Sequence, residues 1–149
     1  MPSKSVTQLA LREQLFAWNS DLKILDWNFH TIGEYLSRVA EGCAVDFAFI
    51  ALHGFVRMLI GNNEPRHASE DELQKIMELT YLGMKQGAFG GSAELTCTPA
   101  MCADNHEIVV LCKVVAEFGV YYCAHHRFYG GKFLEAVTER SDIAKLFKV

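Results

Sequence analysis

Between Ile108 and Ala124 the sequence IVVLCKVVAEFGVYYCA carries only two charged residues, Lys113 and Glu117. A segment that is apolar on most sides has to be buried on most sides. Whatever the chain folds into, this stretch belongs at its centre. The segment upstream, ELTYLGMKQGAFGGSAEL, sets the second constraint. It opens like an amphipathic helix and then places Gly83, Gly87, Gly90 and Gly91 close together. Glycine costs roughly 1 kcal/mol against alanine inside a helix. The cluster therefore marks a loop, a phosphate cradle or a close approach of another backbone.

The dominant periodicity is helical. A first helix is expected from Val6 to Leu25. A second starts near Thr31, with Glu34 three residues on in the capping-box pattern, and its apolar positions run through Phe47. GNNEPRHASEDE reads as a surface loop, and Ser69 with Glu72 forms another capping box. Asn105 is expected to cap a long helix reaching His126, followed by one or two short helices. With 149 residues the chain suits a single domain spanning 1–149. The expected fold class is all-α.

Composition excludes several functions. A net charge of -4 and the lack of a basic run argue against nucleic-acid binding. The N-terminus lacks the apolar core of a signal peptide. The C-terminus is too short and charged to span a bilayer, so no integral membrane anchor is expected. Five cysteines without a C-x-x-C read as reduced, buried thiols of a cytosolic or nuclear compartment, and a cytoplasmic protein is expected.

Catalytic patterns are weak. The glycine cluster follows no strand pattern and precedes no Lys-Ser/Thr, so phosphate-loop and dinucleotide fingerprints both fail. Cys123, His125 and His126 lie close in sequence, but adjacent histidines on a helix diverge by about 100°. They read as a polar helix end. No metal, no cofactor and no enzyme activity are expected.

The glycine segment does resemble a known motif. E-L-x-x-x-G-x-x-x-G, here Glu78, Leu79, Gly83 and Gly87, resembles the first homology region of the Bcl-2 family of apoptosis regulators. YLSRVAEGCAVDF, through Leu36, Val39, Ala40 and Glu41, resembles the third homology region. YGGKFLEAV, with Gly130 and Gly131, resembles the second. LALREQLFAWNSDL suits the family's first helix. The segments occur in the family's order.

The resemblance implies a bundle of seven to eight helices around a central hydrophobic hairpin, with arms at residues 87–103 and 106–125. It implies an inhibitor of apoptosis, similar to compact virus-encoded pro-survival members. Such a protein holds the homology-3 helix of pro-death Bcl-2 proteins in a hydrophobic groove and associates with mitochondria through these partners. An unanchored protein with such a groove also supports a homodimer. Carried over by position, the groove comprises Cys43, Phe47, Ile50, Ile76, Met77, Leu79, Lys85, Gly87, Ala88, Phe89, Gly91 and Leu95. Ala88 stands where the family has an arginine that pairs with the partner's aspartate, leaving Lys85 as the nearby charge. The alternatives are a Bcl-2-fold viral protein acting on other host signalling, and a small helical metal- or ligand-binding protein.

Overall fold

The computed structural model describes residues 29–61 and 63–147. The expected helix from Val6 to Leu25 lies outside them. The described chain runs α1 (Ile32–Ala40), β1 (Ile50–Leu52), α2 (His53–Leu59), α3 (Glu70–Lys85), β2 (Gly90–Glu94), a 3-10 turn (Ala100–Cys102), α4 (Asn105–Glu117), β3 (Tyr121–His125) and α5 (Phe133–Phe147). The strands form one parallel sheet in the order β1-β2-β3. Parallel neighbours need crossover connections, and helices supply them here.

This overturns the all-α expectation, and with it the Bcl-2-like bundle around a helical hairpin. Residues 87–103 contain β2, the turn after it and a 3-10 turn instead of a helical arm. The expected arm at 106–125 is helix to Glu117 and strand from Tyr121 to His125. The break falls at Gly119, whose φ of +65° sits just past the last turn of α4. A left-handed residue there ends a helix, and glycine takes that conformation without steric cost. Val120 then leads into β3, so the long apolar run divides into two buried elements of different period.

The helix starts follow local chemistry. The Ser69 hydroxyl accepts from the Glu72 amide, and the Glu72 carboxylate accepts from the Ser69 amide, a complete capping box on α3. Thr31 caps α1 in the expected place. That helix stops at Ala40 instead of continuing to Phe47. For α4 the cap is Asp104, whose side chain accepts from the Glu107 amide, and Asn105 is the first helical residue. Gly87, with φ +103°, ends the turn after α3.

The main core lies between the sheet and the helices. It joins Ala51, Ala93 and Tyr122 of the strands to Met84 of α3, to Ile108, Leu111, Cys112 and Val115 of α4, and to Ile143 of α5. Burial pushes the Cys112 thiol up to about 12, so it behaves as a small inert hydrophobe. A second cluster joins Val56 of α2 to Leu73 and Ile76 of α3. All five cysteines are free thiols, but only Cys112 is fully buried, and Cys43 and Cys97 are exposed. No helix among the described residues is long and apolar enough to cross a membrane.

The capping box of α3 carries a pH signature. Arg66 donates to both carboxylate oxygens of Glu72 at 2.8 Å. This pair, helped by the Ser69 amide, holds the Glu72 carboxyl at about 2, below its ordinary 4.5. Between those values the unfolded chain binds more protons than the folded one, so stability rises with pH. The contribution is complete above about pH 4.5 and is lost as pH falls toward about 2. Glu72→Gln is therefore expected to flatten the dependence of the denaturation midpoint on pH in this window. Equal slopes for the native and variant proteins would contradict the assignment.

Candidate functional site

Side chains alternate across a strand, and the helices settle which face is which. Ala51, Ala93 and Tyr122 are buried in the core. A Cβ placed on Gly91 would meet Val115 of α4. Ala51, Gly91, Ala93, Tyr122 and Ala124 thus form the helix-covered face. By alternation the opposite face carries Ile50 and Leu52 of β1, Gly90, Ser92 and Glu94 of β2, and Tyr121, Cys123 and His125 of β3.

The register makes this second face chemically graded. Gly90 is opposite Tyr121, Ser92 opposite Cys123, and Glu94 opposite His125. From the amino to the carboxyl end of the strands, the pairs pass from glycine and aromatic, to hydroxyl and thiol, to carboxylate and imidazole. Glu94 and His125 are both solvent-exposed. In open parallel sheets and α/β barrels, ligands bind outside the carboxyl ends of the strands. The Glu94–His125 pair is the candidate site.

Two loops frame it. The loop after β3 brings aromatic rings to the histidines. Tyr129 lies 6.5 Å from the His125 ring and 5.9 Å from the His126 ring, and Phe133 lies 5.3 Å from His126. Arg127 donates to Glu139 at 3.0 Å and to the Met101 carbonyl at 2.9 Å. The loop after β2 is held from within by a buried charge cluster. His53 Nε2 and Glu107 Oε1 are 2.6 Å apart, and Arg57 Nε lies 3.2 Å from the same oxygen. All three residues are fully buried. The Arg57 guanidinium also donates to the carbonyls of Pro99 and Arg66, so one side chain ties α2, α4 and two loops together.

The residues expected to line a partner groove do not share one surface. Cys43 and Phe47 lie in the exposed segment between α1 and β1, and Ile50 begins β1. Ile76 is fully buried in the second core cluster, with Leu79 packed against it, and Met77 packs on the main core. Lys85 is exposed at the end of α3, and Gly87 forms the turn that follows. Ala88 and Leu95 are buried in the main core, and Gly91 lies under Val115. Phe89 is exposed and packs edge-on against Tyr121. Of these twelve, only Ile50 falls on the second sheet face.

Sequence reasoning passed over Glu94 entirely and placed Cys123, His125 and His126 on a helix. The available signal was Val120–Tyr121–Tyr122, a β-branched and aromatic run directly after a helix-stopping glycine. On a strand, Cys123 and His125 share a face, which a helix would have denied them. As for metal, among the described residues no three His, Cys, Asp or Glu side chains converge to hold an ion. Glu94 and His125 supply two donors at most, short of the four positions that zinc fills. The described residues do not by themselves make up a metal centre.

Comparison with known proteins corrects the family reading. No family model matches the sequence. The chain is 27% identical over 120 residues to a D-aminoacylase of Alcaligenes xylosoxydans xylosoxydans, covering 80% of this chain and 25% of that protein. A crystal structure of D-aminoacylase, described as defining a novel subset of amidohydrolases, superposes with a TM-score of 0.78 at 27% identity, covering 88% of this chain and 29% of that one. An N-acyl-D-glutamate deacylase from Bordetella bronchiseptica, solved with zinc and a phosphonate mimic of the tetrahedral intermediate, shares the fold with a TM-score of 0.75 at 23% identity, covering 80% of this chain and 26% of that one. The chain thus spans between a quarter and a third of the length of these relatives. They are enzymes acting on small molecules. The resemblance to the Bcl-2 family is therefore overturned, together with the apoptotic and virus-encoded readings, the homology-3 partners and the non-enzyme expectation. The alternatives of a viral signalling protein and a small helical metal- or ligand-binding protein fall with them. The short glycine and leucine motifs that carried the resemblance fall here on α1, on α3 with the turn that ends it, and on the loop after β3.

Proposed function

We propose that this protein is a deacylase of the amidohydrolase kind, hydrolysing the amide bond of a small N-acylated amino acid. The carrying observation is the match to D-aminoacylase over 88% of the chain. The second sheet face is consistent with it, because its carboxylate and imidazole lie where sheets of this kind bind ligands. Water adds across the amide C–N bond, yielding the acyl group as a carboxylic acid and the free amino acid. His125 is assigned to the transfer or orientation of a proton at the reacting amide. Glu94, in register with it, is assigned to hold the imidazole and the substrate in place.

The test is release of free amine from N-acetyl-D-amino acids by the purified protein, with zinc added because the related deacylase was solved with it. Turnover is expected, and His125→Asn is expected to lower kcat by about 100-fold or more. A folded protein that turns over no member of a broad panel of N-acyl amino acids contradicts the reading. Native rates in the His125 variant would remove that residue from the site.

A further inference from the structure

An arginine two residues beyond His125 invites assignment as the receptor for a substrate carboxylate. The geometry argues otherwise. We propose that Arg127 is a positioning residue, which locks the loop after β2 to the loop after β3, and that it does not receive substrate. The proposal deepens the deacylase reading and rests on it for its kinetic test only.

A guanidinium grips a carboxylate through two parallel donors along one edge. In Arg127 that edge is occupied. Nε lies 3.3 Å from Glu139 Oε1 and 3.4 Å from Oε2, while the adjacent terminal nitrogen lies 3.0 Å from Oε1. The other terminal nitrogen donates to the Met101 carbonyl at 2.9 Å. Both side chains of the ion pair are mostly shielded, at 17% and 16% exposure, so the pair is little screened by water and presents no net charge to an incoming anion.

The mechanical consequence follows from what each partner belongs to. Glu139 is on α5 and Met101 lies in the 3-10 turn after β2. Arg127 itself lies in the loop after β3, two residues past His125. One side chain therefore couples the helix behind β3 to the loop that follows Glu94. Arg57 holds the same loop from the interior through the Pro99 carbonyl. With an arginine on either side, the loop cannot shift without breaking a charge-assisted hydrogen bond. Next to Arg127, Arg140 of α5 donates to the Ala124 carbonyl at 2.9 Å and fixes the end of β3 to the same helix.

The experiment compares native protein, Arg127→Lys and Glu139→Gln. A lysine keeps the charge but not the two-edged fork. Both variants are expected to lower kcat by about tenfold, with KM for N-acyl amino acids changed by less than about threefold. Both are expected to speed amide hydrogen exchange at Met101, Cys102 and Ala103 by about tenfold, and the double variant is expected to be no worse than either single one. A KM rise of about 100-fold in Arg127→Lys with unchanged exchange would make Arg127 a carboxylate receptor and overturn the proposal. Unchanged kinetics and exchange would overturn it too. If the native protein turns over no substrate, the deacylase reading fails, and the exchange comparison still decides the clamp.

Discussion

Replacing Arg57 by alanine is expected to cost about 4 kcal/mol of folding stability, the size of loss seen when one partner of a buried ion pair is removed. Such a loss is a large part of the roughly 5–15 kcal/mol that holds a domain together. The reasoning rests on what the change strands. Glu107 would remain fully buried beside His53, its carboxylate stripped of its cation. The carbonyls of Pro99 and Arg66 would lose their donor. Pro99 is buried, and its orphaned carbonyl accounts for about 1–3 kcal/mol of that loss. Arg57→Lys should recover only part, because one ammonium cannot reach three oxygens on separate segments. Urea denaturation followed by circular dichroism measures the difference. A loss below about 1 kcal/mol for Arg57→Ala would show that the cluster does not hold the loops. A sharper control replaces all three groups, as His53→Leu, Arg57→Met and Glu107→Met. It should cost less than the single alanine change, since no charge is then left buried alone.

That cluster was invisible in the sequence. Sequence spacing gives no hint that His53 and Glu107, 54 residues apart, share a hydrogen bond. Neither His53 nor Arg57 lies in a local sequence pattern that marks a buried ion pair. Local signals were far more legible. The capping box at Ser69 and the cap at Thr31 were readable because a cap is a contact over three residues. Burial was also readable: the stretch from Ile108 to Ala124 does hold much of the core. Its period was not. Parallel strands buried against helices read as short apolar runs without alternation, which a buried helix segment mimics. Strand β2, Gly-Gly-Ser-Ala-Glu, is harder still, because two glycines lower its strand propensity and it lacks the β-branched residues that mark a strand. The candidate site inherits this difficulty. Glu94 and His125 become neighbours only through the β2–β3 register, so neither stands out until both strands are assigned.

Those same glycines carry the second large effect. Gly91→Val is expected to destabilise the fold by about 3 kcal/mol, at the upper end for overpacking a core. A Cβ at residue 91 would fall 2.6 Å from Val115 Cγ2, with Met84 Cε at 3.9 Å behind it. Valine has a stiff χ1, so Val115 cannot swing its methyl away cheaply. Val115 is itself fully buried, which leaves α4 and the sheet to move apart instead. Shrinking the obstacle should relieve the clash. Gly91→Ala combined with Val115→Ala is expected to be more stable than the sum of the two single changes predicts, by about 1 kcal/mol, as is usual for residues in contact. Additive losses would mean that residue 91 and Val115 do not meet. Alanine at Gly130 or Gly131, where an added Cβ meets nothing within 4 Å, should shift stability by no more than about 0.5 kcal/mol. The resemblance set Gly87 and Gly91 against a partner's helix, but Gly83 and Gly87 lie against Ile32 and Leu36 of α1, Gly90 lies against the Tyr121 carbonyl, and the helix over Gly91 is no partner's. It is the chain's own α4, pressed against the inner face of β2, and the same contact leaves Ser92 and Glu94 facing the other way, toward the site.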